Sequence, residues 1–375
     1  MHIVLISSTN ENNSGWGTIT HNHCLALLSK KQSFILLLPK KAKRIVTAYS
    51  NNIEYILPNL PLSFNSIKGI LQLPLLYKKI KINYQKPAVI HSLLDFPYAL
   101  LGWHMARRNK LPFIFTAHGT YSVKPFFNLL DKILFTPAYK NANSIIAVSQ
   151  FTSKNITKVS AYERKINIIN NPIAYTKTKI HQNYNFLGFA PPNFKIILSV
   201  GPLKPRKGHE ILIKAFNEVN RIIADSCLII IGSGDNNFYK NLIDNDKKHL
   251  VFFIPQASSE ELAFCFQHCS VFAMLPKYID HEFEGYGLVY LEAGLYKKPV
   301  VGTFSGGVPE AVINGKTGIL VSENDEKSTA TAIIKILQNK YLAESLGNNG
   351  YKLARQRNWD DYINKIIKIY ESVCS

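Results

Sequence analysis

The segment KIILSVGPLKPRKGHEILIKAFNEVNRII, residues 195–223, contains three pieces in a fixed order. Lys195–Val200 is a short β-favouring run, stopped by Gly201-Pro202. After Gly208, apolar residues recur at Ile211/Leu212, Ala215/Phe216, Val219 and Ile222/Ile223, which is the spacing of one helical face. A strand, a glycine-bearing loop and a helix form the repeating half of a parallel β-sheet, because the helix carries the chain back so that the next strand can run the same way. The same rhythm extends in both directions. Candidate strands in the first half are Ile3–Ser7, Ser33–Leu38, Ile53–Leu57, Val89–Leu93, Phe113–Ala117, Ser144–Val148 and Ile166–Ile169. In the second half they are Lys195–Val200, Cys227–Ile231, Val251–Ile254, Val271–Leu275, Pro299–Val301 and Gly318–Val321. An α/β fold with two parallel sheets follows. The polar, irregular stretch Tyr175–Asn193, ending in Ala190-Pro-Pro-Asn193, separates them. The expected division is residues 1–185, residues 186–355 and a last amphipathic helix within 356–375, with the first domain as its expected docking place.

Composition restricts the class. A chain of 375 residues with 46% hydrophobic content is long and apolar enough for two packed cores. It has no apolar run of the roughly 18 residues that a bilayer-spanning helix needs. Met1-His-Ile-Val-Leu-Ile6 reads as a buried strand rather than a leader, so a cytoplasmic location is expected. Five scattered cysteines without a Cys-x-x-Cys pair argue for free thiols over a disulfide framework or zinc site. The net charge of +19 is one-sided, with 23 Lys/Arg against 5 Asp/Glu in residues 1–190 and 21 against 20 in the rest. Clusters Lys40–Arg44, Lys78–Lys81 and Arg107–Lys110 suit an anionic membrane surface, the alternative being a solvated basic face. Nucleic acid is disfavoured, because no aromatic stacking platform interleaves with these clusters.

The chemistry-bearing stretches fall on loops after strands of the second half, where open parallel sheets bind ligands. Arg206 and Lys207 precede a helix whose free N–H groups and dipole already favour an anion, an arrangement suited to a diphosphate. EGYGLVYLE, residues 284–292, sets two acids eight positions apart. Eight helical residues rise about 12 Å, too far for the roughly 5–9 Å over which paired carboxylates share one glycosidic bond. Two separate contacts on an extended ligand with a diol at each end, such as a nucleotide sugar, fit better. At Gly306-Gly307 the missing side chains would admit a phosphate or sugar to backbone amides, with a structural turn as the competing account. Gly232-Ser-Gly234-Asp235 reads as a tight turn, and Asp280–Glu284 as a hydrogen-bonding loop without metal-ligand spacing.

GPLKPRKG at 201–208, EGYGLVYLE at 284–292 and SGGVPEAVINGKTGILV at 305–321 together resemble the retaining nucleotide-sugar glycosyltransferases of the GT-B type with a Glu-x7-Glu motif. The first half matches more loosely, through Ser14-Gly-Trp-Gly17 and Thr116-Ala-His118-Gly119. The resemblance implies two Rossmann-like domains facing across a cleft. It implies that Lys207 and Arg206 neutralise the donor diphosphate, Glu284 contacts the transferred sugar, Glu292 holds the ribose hydroxyls and His118 reaches the sugar near the reacting carbon. It adds Gly15, Gly17, Gly201, Lys204, Gly287, Leu288, Gly306 and Gly307 to the donor-binding set, with no metal and no cofactor besides the donor. Pro202 departs from the pattern by standing where the family commonly has arginine, and Lys204 or Arg206 is expected to compensate. The implied reaction moves a hexose or N-acetylhexosamine from a UDP- or GDP-linked donor to a glycan or lipid-linked acceptor in envelope polysaccharide synthesis, peripherally at the inner face of the cytoplasmic membrane. A nucleotide-sugar epimerase of the same architecture and a non-enzymatic nucleotide-sugar or glycan binder are the alternatives.

Overall fold

The computed structural model describes residues 1–11, 15–76, 89–160, 165–173, 188, 190–191 and 193–375. The basic cluster Lys78–Lys81, Ser14 and most of the stretch between 175 and 193 lie outside the described residues. The chain forms two compact units, one of Met1–Ala174 with Trp359–Ser375 and one of Tyr175–Asn358.

The first unit is built on seven strands, β1 (His2–Ile6), β2 (Ser33–Pro39), β3 (Ile53–Leu57), β4 (Val89–Ser92), β5 (Phe113–Ala117), β6 (Ser144–Ala147) and β7 (Ile166–Ile168). They pair in the order β3-β2-β1-β4-β5-β6-β7, all parallel. Helices cover the faces of such a sheet, so its central strands are continuous apolar runs. Ile3 to Ile6 and Ile145 to Ala147 are accordingly fully buried. The last helix, Trp359–Cys374, belongs to this unit. It buries Ile363, Ile366 and Tyr370 in the same cluster as Leu5, Leu36 and Ile114. Tyr370 anchors it, with its hydroxyl 2.7 Å from His91 Nδ1 and 3.3 Å from His23 Nε2. Burial keeps both imidazoles neutral, pushing His23 down to about 3 and His91 well below its ordinary value.

The second unit has six parallel strands, β8 (Lys195–Val200), β9 (Ser226–Ile231), β10 (Val251–Ile254), β11 (Val271–Ala273), β12 (Val300–Thr303) and β13 (Gly318–Val321), ordered β10-β9-β8-β11-β12-β13. Sequence patterning extends β11 to Leu275, two residues past its end in the structure. Met274 N–H still donates to the Val301 carbonyl at 3.2 Å, but its own carbonyl accepts from the Tyr290 hydroxyl at 2.6 Å, so the apolar run outlasts the ladder. The five cysteines are all free, four of them buried. Among the described residues no helix is long and apolar enough to cross a membrane.

Candidate active site

The strand order of the second sheet reverses between β8 and β11, which pair directly through Ile197 and Leu198. Loops leaving two such strands turn apart and open a ligand crevice at the carboxyl edge. The loop after β8 makes a 3-10 turn, Pro205–Lys207, before the helix His209–Ile222 begins. Gly208 joins the two at φ 68°, and a Cβ there would lie 1.8 Å from the Leu275 carbonyl oxygen. That close approach, together with the hydrogen bond of 2.9 Å from Lys277 N–H to the Arg206 carbonyl, seats the cationic loop against the chain leaving β11. Gly208→Ala combines a left-handed backbone with a clash against backbone atoms. A loss of about 3 kcal/mol in unfolding free energy is expected, read from denaturant midpoints.

Seated this way, Lys207 is buried and its Nζ lies 2.5 Å from Glu284 Oε2. Arg206 Nη1 approaches the same oxygen at 3.3 Å, while its Nε lies 3.8 Å from Glu282. Burial alone would raise the Glu284 carboxyl, but the two cations outweigh it and hold the group below its ordinary value. Two residues of one loop and two of another, 77 positions apart at the closest pair, thus form a single ionic cluster. The loop after β12 closes on the same spot. Gly307 N–H donates to the Glu284 carbonyl at 2.8 Å, and a Cβ on Gly306 would come within 2.3 Å of that oxygen. The helix Leu288–Leu295 then starts after Gly287, which has φ 93°.

The remaining expected donor contacts have distinct placements. Gly201 N–H donates to the Ile231 carbonyl at 2.8 Å, and Gly232 packs so tightly on Gly201 that a Cβ would meet its oxygen at 1.8 Å. Gly232-Ser-Gly234 therefore serves as a support for the cationic loop. Leu288 is half-buried at the start of its helix. Lys204 is exposed, and its ammonium stands apart from the Glu284 cluster that Arg206 joins. Of the two residues expected to compensate for Pro202, Arg206 is the one that pairs with Glu284. His209, which sequence reading passes over, is buried beside them, with Nε2 3.2 Å from the Gly201 carbonyl and Nδ1 3.4 Å from Ser199 Oγ. Burial and then Lys207 push it down to about 4. It is a neutral prop for the loop's first glycine.

Glu292 occupies the second turn of its helix, and its carboxylate makes no hydrogen bond or ion pair among the described residues. Desolvation raises its carboxyl from 4.5 to about 7. A raised carboxyl favours the protonated folded state, so its stabilising contribution is complete below pH 4.5 and is lost as pH rises through 7. Glu292→Gln is expected to remove this loss. Without donor, the gap in denaturant midpoint between pH 5 and pH 8 should narrow relative to wild type.

In the first unit, His118 follows β5 and Gly15 and Gly17 open the helix Gly15–Ser29 after β1. Gly17 packs on the chain leaving β1, where a Cβ would lie 1.8 Å from the Glu11 carbonyl, whereas Gly15 is open. Trp16 meets Tyr121 edge to face at 5.6 Å, joining the two loops. His118 Nε2 donates to the Leu93 carbonyl at 2.8 Å, which leaves the lone pair on Nδ1. Burial lowers its basicity, so it is neutral near pH 7. Asp95, missed by sequence reading, accepts from His118 N–H at 3.1 Å and from Ser122 Oγ at 2.7 Å. Its signal was available, as a lone acid inside Leu93-Leu-Asp-Phe96 in the acid-poor half.

Residues 14–176 match the model of Glycosyltransferase Family 4 and residues 183–353 that of Glycosyl transferases group 1. The chain is a GT-B glycosyltransferase. An uncharacterized glycosyltransferase of Methanocaldococcus jannaschii is 28% identical to it over 87% of this chain and 86% of its own length. The capsular polysaccharide biosynthesis glycosyltransferase CapM of Staphylococcus aureus is 28% identical over 88% and 87%. Among solved structures, sucrose-phosphate synthase from Thermosynechococcus elongatus superposes with a TM-score of 0.81 at 20% identity, covering 99% of the glycosyltransferase and 98% of that chain. The two family models divide the enzyme as the two sheets do, so the ionic cluster of Lys207, Arg206 and Glu284 lies wholly within the part matched by the group 1 model.

Proposed function

We propose that this glycosyltransferase moves a hexose or N-acetylhexosamine from a UDP- or GDP-linked donor to a hydroxyl of a glycan or lipid-linked acceptor, with retention, in envelope polysaccharide synthesis. The contact of 2.5 Å between Lys207 and Glu284 carries this reading. A cation suited to the diphosphate touches an acid suited to sugar hydroxyls, so the bond between sugar and phosphate belongs at their junction. CapM, whose name places it in capsular polysaccharide synthesis, supports the acceptor class.

In the proposed reaction the bond from the anomeric carbon to the phosphate oxygen breaks, and charge develops on the departing diphosphate. Lys207 and Arg206 stabilise that charge, which is where this site can lower the barrier. The acceptor oxygen bonds to the anomeric carbon on the face the diphosphate leaves, and its proton passes to a phosphate oxygen. Glu284, held ionised between two cations, is a poor nucleophile and instead accepts from sugar hydroxyls. Glu292 holds the ribose diol, and the lone pair on Nδ1 leaves neutral His118 able to accept from a hydroxyl. The excess of 23 basic over 5 acidic residues in the first 190 draws the enzyme to an anionic membrane surface at the cytoplasmic face.

The test is to incubate the enzyme with UDP-, GDP-, ADP- and dTDP-sugars and follow nucleoside diphosphate release, with and without a lipid-linked acceptor extract. Release from one donor that rises with the extract, with an anomeric configuration matching the donor's, is the expected result. Conversion of a UDP-sugar to its epimer without acceptor would replace this reading with that of an epimerase.

A further inference from the structure

Among its described residues the first unit carries a group of exposed apolar side chains that form a shoulder. After His118 the chain runs through the helix Thr120–Val123 and the 3-10 turn Lys124–Phe127 into the helix Leu129–Asn141, which delivers it to the start of β6. A helix that feeds the N-terminal end of a parallel strand begins at the opposite, carboxyl end of the sheet, so its first turns lie at the end where His118 sits. The inner face of this helix is buried, with Phe135 and Tyr139 fully enclosed. Its outer face carries large apolar residues beside lysines, with Leu129 77% and Ile133 61% exposed at i, i+4 spacing, and Phe127 55% exposed just before them.

A second segment extends the shoulder. Ser63 Oγ donates to Asp131 Oδ2 at 2.6 Å and Phe64 N–H donates to Asp131 Oδ1 at 2.8 Å, fixing the 62–71 stretch to the first turn of the same helix. Leu62, Ile70 and Leu71 are all at least half exposed, Leu71 at 75%. Lys68, Lys124 and Lys132 are exposed on the same segments. Exposed apolar side chains with lysines on the same segments suit an interface of anionic headgroups over acyl chains, where the apolar tips insert and the ammonium groups meet phosphate.

We infer that this shoulder, formed by Phe127, Leu129 and Ile133 with Leu71 beside them, docks the enzyme on an anionic lipid surface. The inference rests on the proposed reading of a membrane-surface enzyme and assigns the contact to a surface other than the basic runs at 40–44 and 107–110. It sets the sheet end that bears His118 towards the bilayer, which suits an acceptor whose sugar is tethered to a lipid.

The test is co-sedimentation with vesicles of phosphatidylcholine alone and of phosphatidylcholine with 30% phosphatidylglycerol (about a third anionic, a range in which basic patches respond). The variants are Leu129→Ser/Ile133→Ser and Lys132→Glu. Wild type is expected to bind the anionic vesicles, and the double serine variant about tenfold less. Lys132→Glu is expected to lose about tenfold on anionic vesicles only. Nucleoside diphosphate release from free donor should be unchanged in all variants, so a failed docking surface is separable from a failed transferase reading. Equal vesicle binding by wild type and the double variant would overturn the proposal. So would absence of wild-type binding, or a wild-type dimer in solution that the double variant dissolves, which would make a second copy the occupant.

Discussion

Lys207→Ala is expected to lower kcat/KM for glycosyl transfer by about 10²–10³-fold, the cost of removing one preorganised charge from a developing anion. Several features make this side chain hard to replace. It is buried, so its charge acts in a medium where water screens little. Its loop is held by Gly208 against the chain after β11, so the ammonium requires no reorganisation when the diphosphate departs. Exposed Lys204, on the same loop, lacks that placement and cannot stand in for it. The loss should appear in kcat as well as KM, because the diphosphate carries more charge in the transition state than in the donor. Steady-state kinetics with saturating acceptor separates the two.

Glu284→Gln is expected to lower kcat by about 10²-fold while leaving nucleoside diphosphate affinity undiminished. The carboxylate is the common partner of Lys207 and Arg206, at 2.5 and 3.3 Å. An amide keeps a hydrogen-bonding oxygen but no longer opposes two cations, which become freer to hold an anion. Stability should fall by about 1–3 kcal/mol, the cost of leaving a largely buried charge less compensated. Transfer therefore drops far more than folding suffers, and product binding moves the other way. Wild-type turnover in this variant would remove Glu284 from the proposed reaction.

The alternation of apolar runs with helical spacing made all thirteen strands legible, since parallel strands buried on both faces leave uninterrupted apolar runs. The error at β11 shows the limit of that signal, because an apolar run reports burial and not strand pairing. Charge at a helix start pointed to Arg206 and Lys207. It did not show that both would converge on Glu284, which depends on β8 and β11 lying side by side in a sheet whose order reverses there. The glycines of 306–307 were visible as a possible ligand turn, yet their tightest contact is with the Glu284 and Gly285 backbone. His209 has no local pattern and Asp95 stands out only as a lone acid in an apolar run; both matter because folding buries them beside Gly201 and His118. The last helix was recognisable as amphipathic, but its anchor was not, because the pairing of Tyr370 with His91 joins residues 279 positions apart.

The central claim is that the loop after β8 holds a diphosphate through Lys207. It is tested most directly by titrating wild type and Lys207→Ala with a nucleoside diphosphate and with its parent nucleoside, by calorimetry. The diphosphate should bind wild type at least about tenfold more tightly than the nucleoside, and the variant should lose most of that difference while keeping nucleoside affinity. An undiminished diphosphate advantage in Lys207→Ala would contradict the account.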